Sequence, residues 1–482
     1  MSMKKQFVIS FCLLLGTLQS FAQQPDKAEK LKEIIQSVNI PGIQLIYSKD
    51  GHTEAYNLGV IAPGSTVPVT GASIFEAASL SKAVFAYSVL RLADRGVIAL
   101  DTPLLHYIGG SYDQFYPGNP AYGKITARMV LCHRTGFRNW RDGDKIRLLF
   151  PPDSCFNYSG EAYMFLLAVV QQITHKDLEQ LGKEEVFEPL GMKNSSFRWD
   201  PKFAPVSTFG SDSTAIKRHS GLYAASSLLT NATDYNIFLD AVASGKGLKP
   251  ETHRLMLSQQ SAGNWFNHPA IEATKHIGWG LGVGLQTNEK GTAIWQWGDN
   301  GEFRSFYIDF PARHERLLYF THSFRGHYIT QDIVDLFLGK QTTWCIPWVR
   351  NGYADWDGYA IGYADPYAVN RFRAQLIKQG FEHAAGIWKN EIRQNPRFTI
   401  TEGDMRAFAH ILGESGQKKN ALEILKLNAA IYTKNSNALE GLAEGYRDLK
   451  NRKLAISYAR QSLALDPGNK QAQTLVIELD KE

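Results

Sequence analysis

FEAASLSKAVFAYSVLRLADRG, residues 75–96, sets Ser79 and Lys82 three positions apart where an apolar run begins. An apolar stripe with helical spacing follows, formed by Phe85, Val89 and Leu92. The stretch therefore predicts a helix that begins close to Ser79, with the serine in its first turn.

Residues i and i+3 of a helix lie on one face, so Lys82 can reach the hydroxyl of Ser79. The start of a helix also supplies free N–H groups and a partial positive charge, which favour an anionic oxygen on Ser79 and a neutral amine on Lys82. The same spacing recurs in the N-terminal segment and in a C-terminal turn, at Ser2 with Lys5 and at Ser415 with Lys418. Neither of those contexts offers a cavity, so Ser79 and Lys82 are the candidate nucleophile and base.

The N-terminal segment, residues 1–22, joins two lysines to about a dozen apolar residues and ends at Ala22. This pattern is typical of a cleaved signal peptide and predicts a secreted or periplasmic protein. The alternative is an uncleaved anchor, but about 12 apolar residues fall short of the roughly 20 that span a bilayer. We therefore expect no transmembrane segment after cleavage.

The composition is that of a globular protein, with 482 residues of which 44% are hydrophobic, and the length predicts two domains. The formal charge of +5 becomes +3 when the two signal lysines are removed, which leaves no basic field for nucleic acid. Beyond the signal, the cysteines are too widely spread for a zinc or redox motif: Cys132, Cys155 and Cys345. We expect free buried thiols rather than a disulfide between Cys132 and Cys155.

Strand and helix patterns alternate along the chain. Residues 42–59 form two β-like runs around the turn dipeptide Asp50-Gly51. Helical patterns cover residues 162–192 and 231–243, and short aromatic or β-branched runs return between residues 276 and 323. Strands at both ends of a helical centre predict an α+β domain whose antiparallel sheet is assembled from distant parts of the chain.

The C-terminal part has a period of its own. NALEIL at residues 420–425 and LAISYA at residues 454–459 are related by a register of 34, which is the tetratricopeptide period. Such repeats bind a protein or peptide partner or brace a neighbouring domain. The predicted domains are a signal peptide at 1–22, a hydrolase-like domain at 23–345, a linker at 346–365 and an all-α tetratricopeptide-like solenoid at 366–482.

Several motifs together resemble the class C β-lactamase group of serine hydrolases, which also contains DD-peptidases and family VIII carboxylesterases. The SxxK pair is the first of them, and the match runs from about residue 40 to 340 through IFEAASLSKAVFA, GVIALDTPL, ITARMVLCHRTGF, FNYSGEAYMFLLAVVQQIT, VFEPLGM and WGDNGEFRSFYIDF. The resemblance implies a β-lactamase/transpeptidase-like fold, in which an antiparallel sheet is flanked by helices beside an all-helical subdomain. It also implies that His133 is structural.

The second family element is a YxN loop that faces the serine. FNYSG matches it, with Tyr158 retained and Gly160 in place of asparagine. A phenol has a pKa near 10 in water, so it acts as a base at neutral pH only if a cation such as Lys82 shares its proton. The resemblance therefore implies that Lys82 and Tyr158 work as one coupled unit.

The third family element, HxG or KTG, is matched to Trp297-Gly298-Asp299, which we expect to contact substrate together with Gly160. No cation stands at Trp297, whereas in lactamases and carboxypeptidases that cation helps to hold the substrate carboxylate. Family VIII esterases often carry tryptophan-glycine here. The resemblance further implies an oxyanion hole formed by the backbone N–H groups of Asn300 and Ser79.

The sequence thus predicts a serine hydrolase that acts through an acyl-enzyme on a small ester, amide or peptide, without metal or cofactor. Esterase or D-amino-acid peptidase activity is favoured, and β-lactamase or DD-carboxypeptidase activity is the alternative. A rival of another class is a catalytically decayed binding protein that recruits a partner through its repeats. Three arginines are candidates for a replacement cation, but none is assigned a role: Arg138, Arg141 and Arg304.

Overall fold

The computed structural model describes residues 25–210, 221–353 and 362–481. The predicted signal peptide lies outside the described residues. Within them, the strands are β1 (Gly42–Lys49), β2 (His52–Gly59), β3 (Phe75–Glu76), β4 (Leu229–Thr230), β5 (Ser261–Ala262), β6 (Ile277–Trp279), β7 (Gly284–Asn288), β8 (Gly291–Asp299), β9 (Arg304–Phe310) and β10 (Glu315–Thr321).

The helices up to the predicted linker are α1 (Pro25–Gln36), α2 (Ser81–Asp94), α3 (Ala127–Leu131), α4 (Gly160–Thr174), α5 (Leu178–Gly182), α6 (Glu188–Leu190), α7 (Ala232–Ser244), α8 (Pro250–Leu257), α9 (Thr330–Leu338) and α10 (Cys345–Gly352). A helix thus occupies residues 345–352, most of which were expected to be linker. The later helices are α11 (Pro366–Gln379), α12 (Ala384–Gln394), α13 (Glu402–Glu414), α14 (Lys418–Ile431), α15 (Ser436–Asp448), α16 (Arg452–Leu465) and α17 (Lys470–Lys481). None of the described helices has the length and apolar character needed to cross a membrane.

The main sheet has the strand order β2-β1-β10-β9-β8-β7-β6-β5, and every pair of neighbours is antiparallel. Strand β1 pairs with β10, so that Ile43 lies opposite Thr321. The first strands of the chain therefore complete a sheet whose other strands lie more than 200 residues later, which confirms the predicted α+β class with an antiparallel sheet.

Apolar residues cover both faces of this sheet. On one face, Ile46 and Phe320 belong to a core shared with the buried sides of α2, α4 and α7. Helix α2 buries nearly its whole length, including Phe85 and Val89, between the sheet and the helical subdomain. Because α2 is held on both sides, its N-terminal end is fixed against the sheet.

The other face of the sheet packs against α1, α9 and α10, and the same core continues into the C-terminal helices. Trp295 and Trp348 belong to a cluster that also contains Phe372, Trp388 and Phe408. Two polar contacts join the same parts: Arg350 pairs with Asp404 at 3.2 Å, and Asn39 donates to the Ile411 carbonyl at 2.9 Å. The C-terminal helices and the sheet domain are thus packed as one body.

The C-terminal helices recur with a fixed spacing. Helices α13 and α15 begin 34 residues apart, as do α14 and α16. The helices pack as successive antiparallel neighbours, so this region is a stack of packed helices. Its assignment to the tetratricopeptide class stays a prediction.

Candidate active site

The candidate nucleophile lies on a short turn that leads into α2. Residues Ala78–Leu80 form one 3-10 turn, and Ser79 is partly exposed between two buried neighbours. Ala78 has a φ of 49°, a left-handed conformation that is rare for a residue with a side chain. Such backbone strain is typical of functional sites and here directs the serine out of the turn.

Lys82 lies one turn further along α2 and points back at this serine. Its Nζ atom is 3.0 Å from the Oγ atom of Ser79 and 2.9 Å from the carbonyl oxygen of Ala225. The side chain is 1% exposed. Burial disfavours the charged ammonium and lowers the pKa of Lys82 to about 7, so a large share of this amine is neutral at neutral pH.

Tyr158 completes the group. Lys82 Nζ is 4.7 Å from the centre of its ring, and its hydroxyl faces Ser79 and Gln296. Burial raises the pKa of Tyr158 above its ordinary value. Because the pKa of the amine is lowered while that of the phenol is raised, the resting proton belongs on Tyr158, and the neutral amine of Lys82 is the available base.

Two contacts fix the position of Tyr158. The next residue, Ser159, caps α4 by accepting a hydrogen bond from the N–H of Ala162 at 3.0 Å. The N–H of Ser159 donates to Nδ1 of His133 at 3.1 Å. His133 is fully buried, and burial together with the charge of Lys82 lowers its pKa well below the ordinary value. It is therefore neutral and supports the loop, as the structural role expected for it requires.

The third predicted element differs from expectation in its register. The N–H of Asn300 donates to the carbonyl of Phe303 at 3.0 Å within the β8–β9 turn, so this group is already occupied. Hydrogen-bonded and non-hydrogen-bonded pairs alternate along antiparallel strands. The next pair, Asp299 with Arg304, is therefore a non-hydrogen-bonded pair of the ladder, so the N–H of Asp299 is directed away from β9.

The side chain of Asn300 has a different role. Its Nδ2 atom donates to Oε2 of Glu76 at 2.8 Å and to the carbonyl of Ser226 at 3.1 Å. The first bond connects the end of β8 to β3, because Glu76 is the last residue of β3 and lies three residues before Ser79. The second connects β8 to the segment whose Ala225 carbonyl accepts a hydrogen bond from Lys82.

Gly298 lies against the backbone that precedes the nucleophile. A Cβ atom on Gly298 would be 2.5 Å from the carbonyl oxygen of Ala77 and 3.2 Å from the Cβ atom of Ala78. The hydroxyl of Ser305, directly opposite on β9, donates to the same Ala77 oxygen at 2.8 Å. Glycine is required here because the strand and the Ser79 turn approach so closely.

Gln296 is a site residue that sequence reasoning missed. It is completely buried, and its Nε2 atom donates to the carbonyl of Ser79 at 2.9 Å. Its amide also faces the hydroxyl of Tyr158. Its sequence context could have indicated this role: the glutamine lies between two tryptophans in an apolar strand, and a buried amide needs a hydrogen-bonding partner.

Trp297 is 5% exposed, and its ring lies behind Tyr158 with 4.7 Å between the ring centres. It also stacks on Trp295 at 5.6 Å. Trp297 therefore supports the tyrosine from within the core. Gly160 is the first residue of α4, beside the ring of Trp140.

The three arginines considered as replacement cations all have carboxylate partners. Arg304 is 3% exposed and pairs with Asp299, and Arg138 pairs with Asp142. Arg141 lies 3.5 Å from Glu161. The cysteines beyond the signal segment are free thiols: Cys132 and Cys345 are buried, as expected, whereas Cys155 is partly exposed. No cluster of metal-ligating side chains occurs in the described ranges.

Comparisons with known proteins show the family and the fold of this chain. A family model described as Beta-lactamase matches residues 28–333. Penicillin-binding protein 4* of Bacillus subtilis (strain 168) is 23% identical over 290 residues, which are 52% of this chain and 61% of that protein. Esterase EstB of Burkholderia gladioli is 28% identical over 159 residues, 27% of this chain and 40% of that protein. The chain spans about half the length of the curated relatives that it matches.

Among solved structures, the octameric penicillin-binding protein homologue from Pyrococcus abyssi has a TM-score of 0.55 to this chain at 20% identity. The likeness covers 65% of this chain and 77% of that one. At this identity it shows the fold alone, and it supports the β-lactamase/transpeptidase-like arrangement.

Proposed function

Because the chain belongs to the beta-lactamase family, we propose that it hydrolyses an ester or amide bond through an acyl-enzyme on Ser79. One observation carries the proposal: a buried amine with a lowered pKa lies 3.0 Å from a partly exposed serine hydroxyl, with a buried tyrosine beside both. A catalytically decayed site has no reason to maintain a buried lysine, since burying an ionisable group is costly.

In the first half-reaction, Ser79 Oγ attacks the substrate carbonyl carbon and its proton passes to the neutral Nζ of Lys82. The new C–O bond places negative charge on the former carbonyl oxygen. The N–H groups of Ser79 and Asp299 are the proposed donors to this oxyanion, with Asp299 taking the part expected of Asn300. Loss of one such donor typically costs about 2.7 to 4 kcal/mol of transition-state stabilisation.

The intermediate then collapses and the bond to the leaving group breaks. Tyr158 gives its proton to the departing oxygen or nitrogen, and the ammonium of Lys82 returns a proton to Tyr158. The acyl-enzyme remains on Ser79. In the second half-reaction, a water molecule attacks the acyl carbon, its proton passes to the same pair, and Ser79 leaves with its proton restored.

Esters and neutral amides are the preferred substrates in this proposal. Arg138, Arg141 and Arg304 each pair with a carboxylate. The residue of β8 that contacts Ser79 is Gln296, whose amide carries no charge. A β-lactam or a peptide with a free C-terminus carries a carboxylate that these side chains do not readily compensate. β-Lactamase and DD-carboxypeptidase activity are therefore the second candidates. The predicted signal peptide supports a substrate outside the cytoplasm.

The test compares turnover of p-nitrophenyl acetate, nitrocefin and a D-Ala-D-Ala peptide by the wild type and by Ser79→Ala. We expect ester hydrolysis that is lost in the variant, with nitrocefin and the peptide turned over more slowly. Equal ester hydrolysis by both proteins would remove the proposal. A matched control is Ser415→Ala, which alters the other described SxxK serine in a C-terminal turn.

A further inference from the structure

The space that an asparagine side chain would occupy at Gly160 is filled by an aromatic ring. A Cβ atom on Gly160 would lie 2.8 Å from ring carbons of Trp140. The family's YxN element carries its amide at this position, two residues after the catalytic tyrosine. In this chain an indole surface, here called the aryl wall, therefore lies at the position of that amide, two residues after Tyr158 in the chain.

The segment that carries Trp140 is fixed on both sides of the ring. The hydroxyl of Ser159 donates to the Arg138 carbonyl at 2.6 Å. The N–H of Gly160 donates to Oδ1 of Asn139 at 2.9 Å. On the other side, the N–H of Arg141 donates to Oε1 of Glu161 at 3.3 Å. These bonds hold the segment against the N-terminal end of α4, so the indole is preorganised.

Although its neighbours are fixed, Trp140 keeps 37% of its side chain exposed. An exposed aromatic ring on a rigid segment beside a reactive group offers a surface for an apolar part of a ligand. The residue before Trp140 is joined to a second aromatic group: the amide of Asn139 donates to the Tyr353 hydroxyl at 3.4 Å, and Tyr353 lies 5.8 Å from Trp297 between ring centres. Arg141, the cation next to Trp140 in the sequence, pairs with Glu161 at 3.5 Å.

We propose that Trp140 is a specificity-determining residue that selects substrates whose acyl group carries an uncharged aryl substituent, such as a phenylacetyl ester or amide. This inference rests on the proposed function, because it needs an acyl group on Ser79. The acyl group becomes bonded to Ser79 in the first half-reaction and is released by water only in the second, so the aryl wall can contact it in both. The leaving group, by contrast, departs at the end of the first half-reaction.

The experiment measures kcat/KM for p-nitrophenyl phenylacetate and p-nitrophenyl acetate, each corrected for its spontaneous hydrolysis rate. The wild type should prefer the phenylacetyl ester. In Trp140→Ala the ratio of the two values should fall roughly tenfold, because one aromatic contact and its apolar area are lost. Trp140→Phe should retain most of the ratio. A ratio unchanged in Trp140→Ala overturns the inference.

Gly160→Asn is the second variant. Its new side chain would displace the indole, and the ratio should fall as it does in Trp140→Ala. The control is Tyr367→Ala, which removes a 47% exposed aromatic residue from α11 and should leave the ratio unchanged.

A binding measurement separates failure of this inference from failure of the proposed function. Calorimetry compares phenylacetamide with acetamide, which need not react. If neither ester is hydrolysed, the proposed function fails, and binding of phenylacetamide that is lost in Trp140→Ala still supports the aryl wall. Equal binding of phenylacetamide by wild type and Trp140→Ala would also overturn the proposed contact between Trp140 and the aryl group.

Discussion

Lys82 Nζ lies 3.0 Å from Ser79 Oγ and 2.9 Å from the carbonyl oxygen of Ala225, so the amine is held between the nucleophile and a neutral acceptor. Burial is the cause of its lowered pKa. The site therefore contains a base whose charge changes near neutral pH.

Ester hydrolysis should depend on pH through Lys82. The neutral amine is the base, and a pKa of about 7 means that it is protonated below that pH and free above it. We expect kcat/KM to fall by about tenfold per pH unit below pH 7 and to level off above it. The measurement is a pH profile of p-nitrophenyl acetate hydrolysis from pH 5.5 to 8.5, and a flat profile would contradict this role of Lys82.

Tyr158→Phe should reduce kcat by roughly 10²- to 10⁴-fold, which is the usual contribution of a positioned proton donor. The phenyl ring keeps its contacts with Trp297 and His133, whose ring centres lie 4.7 and 4.4 Å away. The melting temperature should therefore change little. Unreduced turnover in a folded variant would show that another group handles the proton.

Gly298→Ala should damage the site without removing any functional group. Its Cβ atom would lie 2.5 Å from the Ala77 carbonyl oxygen, so strand β8 must move away from the Ser79 turn. We expect kcat to fall by about 10²- to 10³-fold, as in the loss of an oxyanion donor. Gly71→Ala is the control, because the nearest atom there is 3.9 Å away. Equal kcat in the two variants would argue against the proposed position of the Asp299 N–H group.

Deletion of residues 366–482 should give insoluble protein. Phe372, Trp388 and Phe408 share a core with Trp348 and with the sheet, and removal of the helices would expose this apolar surface to water. The deletion is tested by soluble yield and by circular dichroism. A soluble, folded and active fragment would instead favour a separate, partner-binding role for the helices.

A milder change tests the same interface. Arg325 is 5% exposed and pairs with Glu414 of α13. Glu414→Gln removes the carboxylate and leaves a nearly buried guanidinium with less compensation, so the melting temperature should fall. Glu382→Gln is the control at an exposed carboxylate, 71% accessible, and should have no effect. Equal melting temperatures would exclude a stabilising role for the Arg325 pair.

Local patterns were sufficient for most of the fold. The helix after Ser79, the hairpin around Asp50-Gly51 and the strands between residues 277 and 321 all lie where periodicity and turn residues predict them. These features are encoded by neighbours in the chain. The sequence also predicted that strands from both ends of the domain share one sheet, but it did not specify that β1 pairs with β10.

The third site element could not be positioned from the sequence. Residues 296–300 pass through a strand end and a turn, and a shift of one residue exchanges every inward and outward group. The sequence favoured Trp297 and Asn300, whereas in the structure Gln296 donates to the Ser79 carbonyl and the N–H of Asn300 is bonded to the Phe303 carbonyl. The contact of Trp140 with Gly160 could not be predicted from the sequence either, because it depends on how two segments 20 residues apart pack against each other.

Whether Ser79 is the residue that is acylated is decided by locating a covalent adduct. Wild-type protein is treated with a fluorophosphonate probe, and the modified peptide is identified by mass spectrometry. We expect a single adduct on Ser79 that is absent from Ser79→Ala and forms much more slowly in Lys82→Met. An adduct on another side chain, or no adduct on a folded protein, would contradict this expectation.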